Sequence, residues 1–203
     1  MYIWDNIASN YLKSIDFTPK EDIDQIIKTY SIQQGAAYIQ KEYNINLTIK
    51  EIIDGINEIL KDYYQNIIEP KSGIEELLIK FKNNNIKMCI VTASNKNLVT
   101  SALKRCELDH YFSYIITCDS LNTNKEQPDI YRKALTYLET TKEKTIVFED
   151  ALHAIKTLKK DGFTVIGIND EHEINQSEIR KIANYYLFDF LDITDFLKEI
   201  NII

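Results

Sequence analysis

Glycine and proline are scarce, 5 and 3 of 203 residues, which excludes a collagen-like or low-complexity chain and leaves little room for long flexible linkers. Cysteine is scarce too. Cys89, Cys106 and Cys118 are an odd number without a Cys-x-x-Cys pair, a spacing that suits neither a disulfide framework nor a zinc knuckle. Positive charge is in deficit, with 24 Lys and Arg against 31 Asp and Glu for a net charge of −7. That is the wrong sign for gripping nucleic acid through its phosphates. No apolar run approaches the roughly 18 residues of a membrane span, and Met1-Tyr2-Ile3-Trp4-Asp5-Asn6 lacks the basic-then-apolar order of a secretion signal. The expectation is a cytoplasmic chain with neither nucleic acid nor membrane as partner. What is abundant is apolar surface: 44% of residues are hydrophobic, enough for one large domain or a domain with a sub-domain.

Residues 1–70 read as helix after helix. Ile3, Ile7, Tyr11 and Leu12, then Ile23, Ile26 and Ile27, then Ile49, Ile52, Ile53, Ile56, Ile59 and Leu60 recur at three- and four-residue intervals. Four helices are expected, with starts at Thr18-Pro19-Lys20-Glu21 and at Thr48 with Glu51. After Glu69-Pro70-Lys71 the pattern changes to apolar runs of strand length alternating with helices. Ser72 with Glu75 predicts a capped helix closed by Asn83-Asn84-Asn85, and strands are expected over 86–92, 114–117, 145–148, 164–168 and 185–188. A closing helix is expected over 193–203. Strands separated by 10–15 helical residues argue for a parallel sheet covered on both faces, because a parallel connection must cross over through a helix.

In open parallel sheets ligands bind beyond the carboxyl ends of the strands, and three of those ends are polar. Thr92-Ala93-Ser94-Asn95 offers hydroxyls and a helix N-terminus, fit either to hold an anion or simply to cap a helix through Ser94. Glu149-Asp150 sets two carboxylates side by side. A hard divalent cation would offset that repulsion; equally, Asp150 as a helix cap with Glu149 in solvent fits the residues. Lys125 lies in the loop after the second strand, just ahead of Pro128. A lysine there either reaches back to neutralise a phosphate or stays on the surface. His110, His153 and His172 are too far apart to form a local metal motif.

Taken in order, Cys89-Ile90-Val91-Thr92-Ala93-Ser94, Lys125-Glu126-Gln127-Pro128-Asp129-Ile130-Tyr131, and Val147-Phe148-Glu149-Asp150-Ala151-Leu152-His153-Ala154 with Gly162-Phe163-Thr164-Val165-Ile166-Gly167 resemble the haloacid dehalogenase (HAD) superfamily. Within it they are similar to the phosphatases and mutases typified by β-phosphoglucomutase and phosphoglycolate phosphatase. The resemblance covers essentially the whole chain. It implies a doubly wound parallel α/β sheet, HAD-like and Rossmannoid, over residues 71–203, with a small helical cap over 1–70. It implies that Thr92 and Lys125 are catalytic, that Thr92, Ala93, Ser94 and Lys125 bind phosphate, and that Glu149 and Asp150 hold Mg²⁺. The substrate it implies is a small phosphorylated metabolite.

One departure is large. The family's nucleophile is an aspartate in a run Asp-x-Asp-Gly-Thr ending an apolar strand, and no such run occurs in the 203 residues. Asp5 is the nearest candidate, followed by neither a second Asp nor a Gly-Thr turn. The strand that would carry the motif belongs between strands 86–92 and 145–148, so the sheet is expected to lack its central strand and the chain to be short by about 10–15 residues. Two functional readings follow: a Mg²⁺-dependent phosphatase or phosphomutase-like hydrolase whose recorded start is late, and a non-catalytic relative that binds phosphate or a protein partner. The chain is expected to be a monomer, or a homodimer in which a second copy fills the empty strand position.

Overall fold

The computed structural model describes residues 5–27, 30, 32–121, 123–191 and 193–199, and the chain divides into two compact units, Met1–Ile68 and Glu69–Ile203. The first is all helical: α1 (Ile7–Ser14), α2 (Ile23–Ile27), α3 (Ile32–Glu42) and α4 (Ile49–Asp62), the last running into a single π turn, Tyr63–Ile67. The expected start of α4 is present as a reciprocal capping box. The Glu51 N–H donates to Thr48 Oγ1 at 3.2 Å and the Thr48 N–H donates to the Glu51 carboxylate at 2.7 Å. Helix α1 is capped from a distance, since the Ala8 and Ser9 N–H groups donate to Asp24 Oδ1 on α2 at 3.0 and 3.2 Å. Gly55 lets α4 approach α1, because a Cβ there would stand 2.6 Å from the Tyr11 ring.

One expected start is displaced. Thr18-Pro19 lies in a stretch without regular structure, and α2 begins only at Ile23 after a turn at Glu21-Asp22. The Lys20 N–H that a helix would leave unpaired donates instead to Tyr43 Oη at 2.8 Å. The contribution of Ile3 to the first helix falls outside the described residues.

The second unit runs α5 (Ile74–Asn83), β1 (Cys89–Thr92), α6 (Lys96–Arg105), β2 (Tyr114–Thr117), α7 (Asp129–Leu138), β3 (Ile146–Glu149), α8 (Leu152–Lys160), β4 (Thr164–Ile168), α9 (Gln176–Ile182), β5 (Tyr185–Leu187) and α10 (Ile193–Glu199). All pairings are parallel, β1 with β2, and β3 with β4 with β5. Side chains alternate across the strands as the pleat requires. Val165 and Val147 pack on one face with Ile130 and Tyr131 of α7, Leu158 of α8 and Ile179 of α9. Ile166, Ile168, Ile146 and Phe148 pack on the other with Leu77 and Phe81 of α5 and Leu197 of α10. Helices on both faces of parallel strands make a doubly wound α/β layer.

Two boundaries shift because of tertiary contacts. Ser72 is not the cap of α5: Gly73 holds that position at φ +79°, and a Cβ on it would lie 2.6 Å from the Phe190 carbonyl oxygen. The first strand begins at Cys89 rather than Ile86. The Ile86 N–H turns back to the Phe81 carbonyl at 2.9 Å, and the partner strand starts only at Tyr114. The closing helix is described to Glu199, and 200–203 lie outside the described residues.

Among the described strands, β1 pairs only with β2, and β3 only with β4. The two sheets are not hydrogen-bonded to each other among the described strands. A cavity of about 960 Å³ lies between them, lined by β1, β3, the apolar face of α5 and that of α7. Burial records the opening: β4 is buried at four of five positions, whereas all four residues of β1 and three of four in β3 are only half-buried.

Gly167 tests the packing of this layer. A Cβ there would sit 2.7 Å from Ile179 Cγ2 and 3.2 Å from Ala183 Cβ. Gly167→Ala is expected to destabilise the α/β unit by about 1–3 kcal/mol through overpacking, read as a lower midpoint in urea unfolding followed by circular dichroism.

Candidate active site

The carboxyl ends of β1, β2 and β3 gather the polar residues. Thr92 and Thr117 end β1 and β2 in register, and the Cys118 N–H donates to the Thr92 carbonyl at 2.9 Å. The chain turns immediately after Thr92, whose Oγ1 accepts the Ser94 N–H at 3.0 Å. Asn95, not Ser94, caps α6, accepting the Asn97 N–H at 2.9 Å. The cap falls to Asn95 rather than Ser94, and Ala93 is exposed.

Lys125 stands in the loop between β2 and α7. Its Nζ lies 2.7 Å from Glu149 Oε2, and both side chains are largely buried, 17% and 5% exposed. Asn124 clips the loop by accepting the Glu126 N–H on its side chain at 2.9 Å. Below it lies the buried Tyr131, whose hydroxyl reaches 3.5 Å from the Lys125 carbonyl. Burial, with the Glu149 charge nearby, pushes the Tyr131 hydroxyl pKa well up, so it stays a neutral phenol.

Glu149 does not point to solvent. Its second oxygen accepts the N–H groups of Asp150 and Ala151 at 3.3 and 3.1 Å, which places a carboxylate on the first turn of α8. Asp150 is not the cap of α8 either, since Ala151 takes that position without a side-chain bond. The Asp150 carboxyl is pushed up to about 6, first by burial, then by the Glu149 charge and a hydrogen bond with it, against a smaller pull from Lys125. Lys125, Glu149 and Asp150 are thus brought together by direct contact, while Thr92, Ala93 and Ser94 form a separate turn at the end of β1.

Asp170, beyond the end of β4, escaped the sequence reading. It is 4% exposed, accepts the His172 N–H at 3.0 Å and pairs with Lys71 at 3.3 Å. Burial alone would raise its pKa, but these bonds hold it below the ordinary aspartate value. Glu173 follows, accepting the Leu152 N–H at 3.3 Å at the start of α8. The signal was available, because Asn169-Asp170 ends a strand just as Glu149-Asp150 does.

The sequence pattern of the haloacid dehalogenase-like hydrolases matches residues 3–168. The chain belongs to that family. Among curated relatives, the phosphorylated carbohydrates phosphatase of Thermotoga maritima is 24% identical over 142 residues, 70% of this chain and 66% of that protein. The chain spans about half to two thirds of the length of the curated relatives it matches first. Among solved structures, a candidate β-phosphoglucomutase from Thermotoga maritima has a TM-score of 0.82 at 20% identity, covering 98% of this chain and 92% of that one. CbbY from Rhodobacter sphaeroides, in complex with xylulose-1,5-bisphosphate, has a TM-score of 0.76 at 20% identity, with 95% and 89% covered. The HAD-hydrolase YfnB from Bacillus subtilis, solved bound to magnesium, has a TM-score of 0.74 at 15% identity, with 95% and 89% covered. At these identities the structural likeness establishes the HAD-like fold.

Among the described residues no group of three or more His, Cys, Asp or Glu could hold a metal. Mg²⁺, however, keeps several waters and needs only one or two protein carboxylates, with phosphate oxygens completing its shell. A buried carboxyl whose charge is under-compensated is such a donor, and Asp150 fits. Glu149 is committed to Lys125 and to α8.

A pH dependence follows. Because the folded Asp150 pKa is raised, the fold binds this proton more tightly than the unfolded chain does. The resulting penalty is fully present above about pH 6 and vanishes as pH falls to about 4. In chelator, Asp150→Asn is expected to be more stable than the parent above pH 6 by on the order of 2 kcal/mol, with the gain lost by about pH 4. Thermal unfolding across pH 4–8 measures it.

Proposed function

We propose that this chain binds a small phosphorylated metabolite together with Mg²⁺ at the carboxyl ends of β1 and β3, as a phosphatase or phosphomutase-like hydrolase of the HAD family. The observation that carries the reading is the Lys125–Glu149 contact beside Asp150. A cation, an under-compensated acid and a hydroxyl turn at the ends of parallel strands are what recognition of a phosphoryl group requires. Residues 1–70 are assigned the part of a cap and 71–203 that of the core.

Each residue has a separate task in this reading. Lys125 has three donors, of which Glu149 takes one, leaving the others for phosphoryl oxygens. Glu149 fixes the position of that ammonium and does not itself turn toward the ligand. The Thr92 hydroxyl and the Ala93 N–H, on a turn closed by the Ser94 N–H donating to Thr92 Oγ1, are the donors assigned to the anion. Asp150, with Glu149 behind it, would hold Mg²⁺, which supplies further positive charge against the phosphoryl oxygens when bound. The 203 residues contain no Asp-x-Asp-Gly-Thr run. That favours a second reading, a relative that binds phosphate without turning it over.

Titration calorimetry with inorganic phosphate and MgCl₂ tests the site. Binding is expected to weaken about tenfold or more in Lys125→Ala, and by a smaller factor in Thr92→Ala, which leaves the ion pair in place. Absence of phosphate binding with Mg²⁺ present would overturn the proposal. Hydrolysis of p-nitrophenyl phosphate by the 203-residue chain is expected to be negligible. Robust turnover that disappears in Asp5→Asn would make Asp5 the nucleophile and overturn its assignment to the cap.

A further inference from the structure

Asp170 lies closer to Asp150 than twenty intervening residues suggest. Glu149, the last residue of β3, stands opposite Gly167 of β4 in parallel register. Asp150 is one residue past that level and Asp170 is three, so a strand spacing of about 4.8 Å and a rise of about 3.3 Å per residue put their backbones about 8 Å apart. The loop that carries Asp170 is fixed there. The Asn169 N–H donates to the Leu187 carbonyl at 2.9 Å, and the Glu173 N–H and Gln176 Nε2 donate to the Asp170 carbonyl at 3.0 and 2.8 Å. Glu173 Oε2 then accepts the Leu152 N–H at 3.3 Å, which ties the loop to the first turn of α8 beside Asp150.

The two charges of the Lys71–Asp170 pair have unequal surroundings. The Asp170 side chain is 4% exposed, whereas Lys71, 3.3 Å away, is 48% exposed and also donates to the Asn169 carbonyl at 3.2 Å. A buried charge is screened far less than one that is half in water. The field of the pair toward Asp150 is therefore that of the acid, reduced but not cancelled by the lysine. After burial and the Glu149 charge and hydrogen bond, the Asp170 charge is a further cause that pushes the Asp150 carboxyl up. Anchoring the loop does not call for a charge, since an asparagine would accept the His172 N–H without the cost of burying a carboxylate. What the carboxylate adds is negative potential.

We propose that the Asp170–Lys71 pair sets the affinity of the cation site at Asp150 without touching the cation. Asp170 is a positioning residue whose charge draws a divalent ion toward Asp150, and Lys71 is a built-in competitor that holds the affinity down. The inference rests on the assignment of Mg²⁺ to Asp150 and adds the two residues that tune it.

The test titrates the full chain with Mn²⁺, which takes the same oxygen donors, in about 20 mM NaCl, where screening is weak. The electron paramagnetic resonance signal of free Mn²⁺ reports binding, and Mg²⁺ serves as competitor. Asp150→Asn is expected to weaken binding at least about tenfold. Lys71→Met is expected to tighten it about threefold to tenfold, Asp170→Asn to weaken it about fivefold or more, and Lys71→Arg to keep the parent value. In the absence of metal, Lys71→Met should also lower the melting temperature, because it leaves the buried Asp170 carboxylate without its lysine. A purely structural pair predicts weaker or unchanged binding in both variants, so lost stability together with gained affinity is the signature. Unchanged or weaker binding in Lys71→Met, or parent-like binding in a folded Asp170→Asn, would overturn the inference while the cation stays assigned to Asp150, provided that Asp150→Asn still loses it. If Asp170→Asn does not fold, the sign of the Lys71→Met effect decides alone. A parent chain that binds no Mn²⁺, or an Asp150→Asn variant that binds as the parent does, would overturn the metal assignment and the inference with it.

Discussion

The ion pair between Lys125 and Glu149 ties the α/β unit together at the carboxyl ends of its strands. The two sheets share no hydrogen bonds among the described strands, so their relation depends on the helices packed across them and on this contact between the loop after β2 and the end of β3. A buried ion pair costs desolvation on both partners and is worth keeping only where each charge has further hydrogen bonds. Glu149 has them, from two N–H groups at the start of α8. Removing the lysine would leave a buried carboxylate facing Asp150. The pair therefore positions the strand end and determines which of the two acids remains available.

That division of labour between adjacent acids is where the sequence was least informative. Glu149 and Asp150 read identically as letters: each is a carboxylate after an apolar strand. Only their positions separate them: Glu149, the last residue of β3, is buried and turned toward Lys125 and α8, whereas Asp150, just past the strand, is half-buried with little positive charge around it. The alternation of apolar residues was enough to locate β2 and β4 closely and to place helices on both faces, because those elements are decided by burial. It failed where a tertiary contact outweighs local chemistry. Ser72 has the right neighbours for a cap, yet the approach of Phe190 requires Gly73 at that turn. Thr18-Pro19 has the spacing of a helix start, yet Tyr43 takes the N–H that the start would leave free.

Asp170 illustrates a different limit. It ends a strand, as the other site residues do, and its burial and its bond to Lys71 place it among the acids at this end of the sheet. Its position just past a strand is legible and its bond from the His172 N–H is local, but its burial and its pairing with Lys71, ninety-nine residues away, are invisible to any local pattern. What is accessible to inspection is the rule that strand ends bear function, applied to every strand rather than to the three whose residues looked reactive.

The opening in the sheet and the acids beside it form one system. Parallel strands are buried on both faces in stable folds, and here β1 and β3 are the least buried strands that a doubly wound layer would place at its centre. Their carboxyl ends carry Thr92 on one side and Glu149-Asp150 on the other. The hydroxyl turn and the acid pair are thus held by separate sheets, so the distance between them is set by the helices packed across both and by the Lys125–Glu149 pair, and a substitution that loosens either contact disturbs both halves of the candidate site at once.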